Sequence, residues 1–203
     1  MHKIMEAKLK VTDIFETIQG EGGNVGKVAV FIRLAGCNKS CWFCDTSWDN
    51  CREYSILEIL QELKKYKTKF IVWTGGEPTL QLNREIISVF KQKDYYQAIE
   101  TNGSNPVPKG IDYIACSPKV GSNVLKKNIE HADEFRYPFG VNVKEPPAIH
   151  ELPPAKHYFV SPIFDGTRKN HLNKSNLKGC LEFIKAHPEW KISVQVHKLL
   201  NIP

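Results

Sequence analysis

No stretch of this chain comes near the eighteen or so uninterrupted apolar residues of a membrane span, and the opening Met1-His2-Lys3-Ile4-Met5-Glu6-Ala7-Lys8 has no apolar core of signal-peptide length. The first absence excludes a membrane-spanning helix, and the two together lead to the expectation of a cytoplasmic protein. Paired cysteine spacing is missing outside one short loop: Cys51, Cys116 and Cys180 stand alone and read as ordinary thiols, not as a disulfide framework. Basic runs are missing as well. The net charge of +6 is spread over scattered Lys and Arg, and even Lys64-Lys65-Tyr66-Lys67 lies among helix formers and acidic residues. A solvated face is therefore expected in place of a nucleic-acid footprint, although a mildly basic cleft would suit anionic small molecules. Internal repeats and low-complexity linkers are also lacking, so 203 residues with 41% apolar and 25% charged side chains read as one domain, 1–203.

A further absence is informative about chemistry. Cys37, Cys41 and Cys44 are spaced C-x3-C-x2-C in Cys37-Asn38-Lys39-Ser40-Cys41-Trp42-Phe43-Cys44-Asp45-Thr46, with an aromatic residue before the third. A cuboidal 4Fe-4S cluster normally takes four thiolates; three from one loop would leave one iron open, as a metal that activates a small molecule requires. The alternative is a structural zinc loop with Cys51 as fourth ligand, although zinc sites usually pair their cysteines as two closer hooks.

In chain order, residues 11–18 alternate weakly and run into Gln19-Gly20-Glu21-Gly22-Gly23. This is a hairpin turn on the plain reading, yet it also offers an amide and a carboxylate suited to the edge of a nitrogen heterocycle. Residues 28–34 form a nearly continuous apolar run, the mark of a strand covered on both faces. Arg33 interrupts that run, which places it at the strand's end facing an anion or at a surface edge. Ser55-Ile56-Leu57-Glu58 is a capping box opening a helix with Ile56, Leu57, Leu60 and Leu63 on its apolar face. Residues 69–74 predict a strand ending in Gly75-Gly76-Glu77-Pro78, then a helix through Leu82, Ile86, Ile87 and Phe90. Further strands are expected at 96–100, 113–116, 157–160 and 192–196, with a helix through Leu177, Cys180, Leu181 and Ile184. The stretch 138–154 reads as an irregular connection. Strands alternating with helices predict a parallel α/β sheet with its chemistry at the C-terminal strand ends. The chain is too short for a closed eight-unit barrel, so a partial barrel is expected.

The cysteine loop and Gly75-Gly76-Glu77-Pro78, in this order, resemble the radical S-adenosylmethionine superfamily. That resemblance implies a modified partial (β/α) barrel with a 4Fe-4S cluster whose open iron is chelated by S-adenosylmethionine. It also implies reductive cleavage of the sulfonium to methionine and a 5'-deoxyadenosyl radical that abstracts a substrate hydrogen. From Phe15 to Pro203 the chain is similar to one branch of that superfamily, through Phe15-Glu16-Thr17-Ile18-Gln19-Gly20-Glu21-Gly22, Phe31-Ile32-Arg33-Leu34-Ala35-Gly36-Cys37-Asn38, Cys44-Asp45-Thr46, Glu100-Thr101-Asn102-Gly103, Ser117-Pro118-Lys119 and His197-Lys198-Leu199-Leu200-Asn201-Ile202-Pro203. The branch converts 6-carboxy-5,6,7,8-tetrahydropterin to 7-carboxy-7-deazaguanine with loss of ammonia, on the path to queuosine and related 7-deazapurines. Implied partners are a flavodoxin- or ferredoxin-like electron donor and a second copy of the chain, with no nucleic acid or membrane.

The resemblance also implies roles. Cys37, Cys41 and Cys44 hold the cluster, and Phe43, Asp45, Gly75, Gly76, Glu77, Gly103, Ser117, Pro118, Lys119 and Ser161 border S-adenosylmethionine. Ile18, Gln19, Gly20 and Glu21 read the pterin edge, Arg33 and His197 its carboxylate, and Thr101 a further polar group, while the terminal carboxylate of Pro203 completes the site. Thr46 donates its hydroxyl to Mg2+; by sequence alone it could equally be a cap or turn residue. Ser161-Pro162 stands where Gln-Pro is expected, and Val196 where Thr often precedes the histidine. A glycyl-radical-enzyme activating enzyme is the enzymatic alternative, and an iron-sulfur carrier or zinc-binding module the non-catalytic one. The first has no need of Gln19, Glu21, Arg33, His197 and Pro203 together, and the second has no reason to keep Gly75-Gly76-Glu77-Pro78 or a polar set at the strand ends.

Overall fold

The computed structural model describes residues 2–47, 50–165 and 171–203. Two compact units divide the chain: Met1–Thr17, Val28–Thr101 and Asn105–Ile114 form the first, and Ile18–Lys27, Asn102–Ser104 and Ala115–Pro203 the second.

The first unit is built on strands β1 (Lys8–Ile18, its last residue in the second unit), β2 (Val28–Leu34), β3 (Arg52–Ser55), β4 (Phe70–Gly75) and β5 (Tyr96–Thr101), in the order β3-β1-β2-β4-β5. β3 runs antiparallel to β1, whereas β2, β4 and β5 run parallel. Helices α1 (His2–Met5), α2 (Ile56–Leu63) and α3 (Arg84–Lys91) complete the unit. The alternation of strand side chains sorts its apolar residues into two clusters. Val30, Ile32, Leu34, Ile71, Trp73 and Ile99 pack with Ile56, Ile59, Leu63, Ile87 and Phe90 of the helices, while Ala29, Phe31, Val72 and Ala98 form a smaller cluster. Period-2 alternation puts Arg33 on the side of Ala29 and Phe31. The capping box is present: Ser55 Oγ accepts from the Glu58 N–H at 3.2 Å and Glu58 Oε2 accepts from the Ser55 N–H at 2.7 Å. Leu57, expected on the apolar face of α2, is 47% exposed, and Ile59 is buried in its place.

The second unit contains the end of β6 (Tyr113–Cys116), then α4 (Ser122–Asn128), β7 (Ala132–Phe139), β8 (Ala155–Pro162), α5 (Lys174–Ala186), β9 (Lys191–Ile192) and α6 (Val196–Leu200). Its strands run parallel in the order β6-β7-β8-β9. Sequence patterning does not reveal α4 or β7. α4 buries one apolar side chain, Leu125, and β7 carries Asp133, Glu134 and Arg136 at buried positions. Of the expected strand 192–196 only Ile192 lies in β9; residues 193–195 are irregular and Val196 opens α6. Cys116 and Cys180 are fully buried, and burial pushes the Cys180 thiol up to about 12, out of reach of ordinary thiolate chemistry.

Gln97 is the buried polar hinge between β5, β4 and α3. Its Oε1 accepts from Trp73 Nε1 at 3.1 Å and its Nε2 donates to the Ile87 carbonyl at 3.0 Å, with no exposure. Replacing it by leucine strands the indole N–H. Gln97→Leu is expected to lower unfolding free energy by about 2 kcal/mol, read as a lower urea midpoint at unchanged slope; an unchanged midpoint would show that the indole finds another acceptor.

Candidate active site

The first unit brings one set of the predicted residues to its strand ends. β2 ends at Leu34, two residues before Gly36 and the cysteine loop, and β4 ends at Gly75. The Gly76 N–H donates to the Leu34 carbonyl at 2.8 Å and the Glu77 N–H to the Gly36 carbonyl at 2.9 Å. A Cβ built on Gly76 would collide with that Gly36 carbonyl, so only glycine lets the two backbones approach this closely. Glu77 is fully buried, and its Oε1 accepts from Thr79 N–H at 3.1 Å, Thr79 Oγ1 at 2.7 Å and Thr101 Oγ1 at 2.9 Å. These hydrogen bonds to a charged acceptor offset its desolvation. The Thr101 hydroxyl donates to Glu77 and retains acceptor capacity of its own.

Arg33 is half-buried at the end of β2, with its guanidinium over the Phe15 ring at 5.0 Å. Among the described residues it has no ion-pair partner. In the cysteine loop, Cys37 and Cys41 are half-buried and Cys44 is exposed. The Cys44 N–H donates to the Cys41 carbonyl at 3.1 Å, closing a turn, and Phe43 packs edge-on against the exposed Trp42. The Thr46 hydroxyl lies 3.5 Å from Asp45 Oδ1, and among the described residues no helix begins at Thr46.

The second unit gathers another set. Gln19-Gly20-Glu21-Gly22 is the tip of a hairpin closed by Gln19 N–H to the Lys27 carbonyl at 2.7 Å and Gly26 N–H to the Gln19 carbonyl at 2.8 Å. The loop meets the C-terminal segment. Val196 N–H donates to the Gly20 carbonyl at 3.0 Å, Gly22 N–H donates to Ser193 Oγ at 2.9 Å, and a side chain at Gly20 would collide with the His197 imidazole. Asn201 adopts a left-handed conformation that ends α6, and the Ile202 N–H returns to the His197 carbonyl at 3.1 Å, so the chain near exposed Pro203 turns back on the helix. Lys119 Nζ donates to the Ser117 carbonyl and Oγ, both at 2.7 Å, beside buried Pro118; Lys119 N–H donates to Asn102 next to Gly103 at 3.0 Å. Sequence reasoning missed Glu134, Arg136, Ser193 and Gln195, which hold the hairpin tip; no local spacing links them to it.

The donor set fits a thiolate-ligated cluster. Partial burial pushes the Cys44 thiol up; a backbone hydrogen bond with Thr46 opposes it, and the Asp45 carboxylate and the Cys41 and Cys37 sulfurs add smaller upward contributions. A cationic metal centre relieves both desolvation and repulsion. Among the described residues no three Cys, His, Asp or Glu side chains are already gathered around one point, the arrangement a single zinc ion takes. A cuboidal cluster instead asks each thiolate to reach a different iron. Ser161 Oγ at the end of β8 is sealed from solvent without a hydrogen-bond partner, a buried polar atom that a bound ligand would satisfy.

A family model described as the radical SAM superfamily matches residues 31–138, from β2 through the cysteine loop into β7. The chain therefore belongs to the radical SAM superfamily, whose members carry a 4Fe-4S cluster and use S-adenosylmethionine. Curated relatives narrow this further. It is 37% identical to the 7-carboxy-7-deazaguanine synthase of Bacteroides thetaiotaomicron, over 95% of this chain and 98% of the relative. It is 38% identical to the synthase of that name from Haemophilus influenzae, over 97% and 95%. Within the superfamily the chain belongs to the 7-carboxy-7-deazaguanine synthase family. The crystal structure of QueE from Escherichia coli superposes with a TM-score of 0.73 at 21% identity, covering 97% of this chain, and shows the fold to be the open partial barrel of that type.

The contact at Gly76 gives a direct test. Gly76→Ala is expected to displace the backbone leading into Cys37, so that the purified, reconstituted variant holds less than about half the wild-type iron and sulfide. Wild-type iron content would show that the close approach is dispensable.

Proposed function

We propose that this chain is a radical S-adenosylmethionine lyase that converts 6-carboxy-5,6,7,8-tetrahydropterin to 7-carboxy-7-deazaguanine with loss of ammonia, in queuosine and related 7-deazapurine synthesis. The observation that carries the reading is full-length similarity to synthases of that name. The cluster, held by Cys37, Cys41 and Cys44, and S-adenosylmethionine supply the radical chemistry when bound. The chain's own residues bind, orient and shield. Phe43, Asp45, the Gly75-Gly76 backbone, Glu77, Gly103, the Ser117-Pro118-Lys119 turn and Ser161 border the cofactor, and Thr101, which donates to Glu77, meets a further polar group of the substrate. Arg33 is a charge held on an aromatic face without an ion-pair partner among the described residues, which suits it to the pterin carboxylate, with His197 and Pro203 beside it in role. Ile18, Gln19, Gly20 and Glu21 receive the donor and acceptor edge of the ring. Thr46 gives one oxygen to Mg2+, with substrate and water oxygens supplying the rest. The protein works as one catalytic domain in the cytoplasm, as a homodimer reduced by a flavodoxin- or ferredoxin-like donor. Among the described residues no helix is long and apolar enough to cross a membrane.

The reading is tested by anaerobic reconstitution of the cluster, reduction, and incubation with S-adenosylmethionine, Mg2+ and 6-carboxytetrahydropterin. Both 5'-deoxyadenosine and 7-carboxy-7-deazaguanine are expected by mass spectrometry; deoxyadenosine alone would retain radical chemistry and refute the pterin as substrate. Arg33→Ala is expected to cut pterin kcat/KM by roughly 100-fold, a loss of about 3 kcal/mol for a charge-assisted contact. Iron content and pterin-independent deoxyadenosine formation should stay near wild type, and equal loss of all three would remove Arg33 from substrate recognition.

A further inference from the structure

Both carboxylate oxygens of Glu21 are engaged within the second unit. Oε1 accepts from Gln195 Nε2 at 2.9 Å and Oε2 from Arg136 Nη1 at 2.9 Å. Arg136 Nε lies 2.9 Å from Glu134 Oε1, and Glu134 Oε2 accepts from the Gly23 N–H at 2.7 Å. The side chains of Glu134 and Arg136 are 2% and 7% exposed, that of Glu21 18%. Two carboxylates and one guanidinium thus form a chain from the interior of β7 to the hairpin tip.

The chain lies nearest water at its Glu21 end. Buried ion pairs add little to stability, because desolvation offsets their attraction. Their other use is to fix orientation, and here the object fixed is the loop assigned to the pterin. A carboxylate offers about four acceptor positions. Arg136 and Gln195 take two, which restricts the rotamer and leaves the others for the adjacent N–H donors of an aminopyrimidine edge.

We propose that Arg136 and Glu134 are positioning residues for pterin recognition, holding Glu21 and the Gly22-Gly23 backbone in the one arrangement that receives the ring's donor edge. This rests on the pterin reading above. In the reconstituted holoenzyme, Arg136→Met is expected to raise KM for 6-carboxytetrahydropterin by roughly 10- to 100-fold, the scale of a small misplacement of a binding group. Pterin-independent deoxyadenosine formation should stay within about twofold, and amide exchange in the peptide 18–27 should accelerate. Arg136→Lys keeps the charge without the fork that bridges two carboxylates, so its KM should fall between. If Arg136→Met does not fold, Glu134→Gln keeps the shape and should raise KM in the same direction at an unchanged uncoupled rate. An unchanged KM in the soluble variants would overturn the proposal, as would KM, uncoupled cleavage and iron content failing together. If the wild type cleaves S-adenosylmethionine and leaves the pterin untouched, the substrate reading falls. Exchange then decides the positioning claim separately: unaltered protection at 18–27 in Arg136→Met refutes loop positioning as well.

Discussion

The first unit's chemistry depends on the contact between two strand ends, β4 at Gly76 and β2 at Gly36. Two backbone hydrogen bonds and a missing Cβ set the spacing there. The Cys37 backbone starts one residue beyond one partner, and Glu77 is the other. Through Glu77 the constraint extends to Thr79 and to Thr101 at the end of β5, so three parallel strands finish in fixed register. Backbone contacts of this kind hardly depend on salt or pH, and they suit a loop that must present three thiolates to a cluster in one geometry.

This part was legible in the sequence because its signals are local. A three-cysteine loop, a Gly-Gly-Glu-Pro turn and apolar strands each declare themselves within ten residues, and the capping box at Ser55 does so within four. β7 was not legible, because its pattern contradicts burial. Asp133, Glu134 and Arg136 read as a solvated segment until the partners are known: Lys156 for Asp133 at 2.6 Å, and Glu21, 115 residues away, for Arg136. β3 is a short polar edge strand with little apolar content to detect. The expected strand at 192–196 fails because Ser193 and Gln195 spend their side chains on the hairpin tip and Val196 spends its N–H on Gly20.

The second unit holds its functional loop in a different way. Side-chain ions join the backbone hydrogen bonds in anchoring Gln19-Gly20-Glu21-Gly22, and such side-chain anchors are expensive to bury and specific in direction. On the proposed function, the contrast follows from what each loop would handle. A metal cluster tolerates its ligands at one distance only, which backbone geometry supplies, whereas a polar heterocycle is told from its relatives by where donors and acceptors point.

The C-terminal segment carries this one step further. α6 has five residues, too few to be helical alone, and the hairpin tip has few apolar contacts of its own. Each supports the other: Val196 N–H caps the Gly20 carbonyl, the His197 ring fills the space above Gly20, and Gln195 and Ser193 bind Glu21 and Gly22. Elements that are stable only together order together. Binding free energy from a ligand touching either Glu21 or His197 therefore stabilises both, and a ligand touching both meets a site already arranged by the first contact.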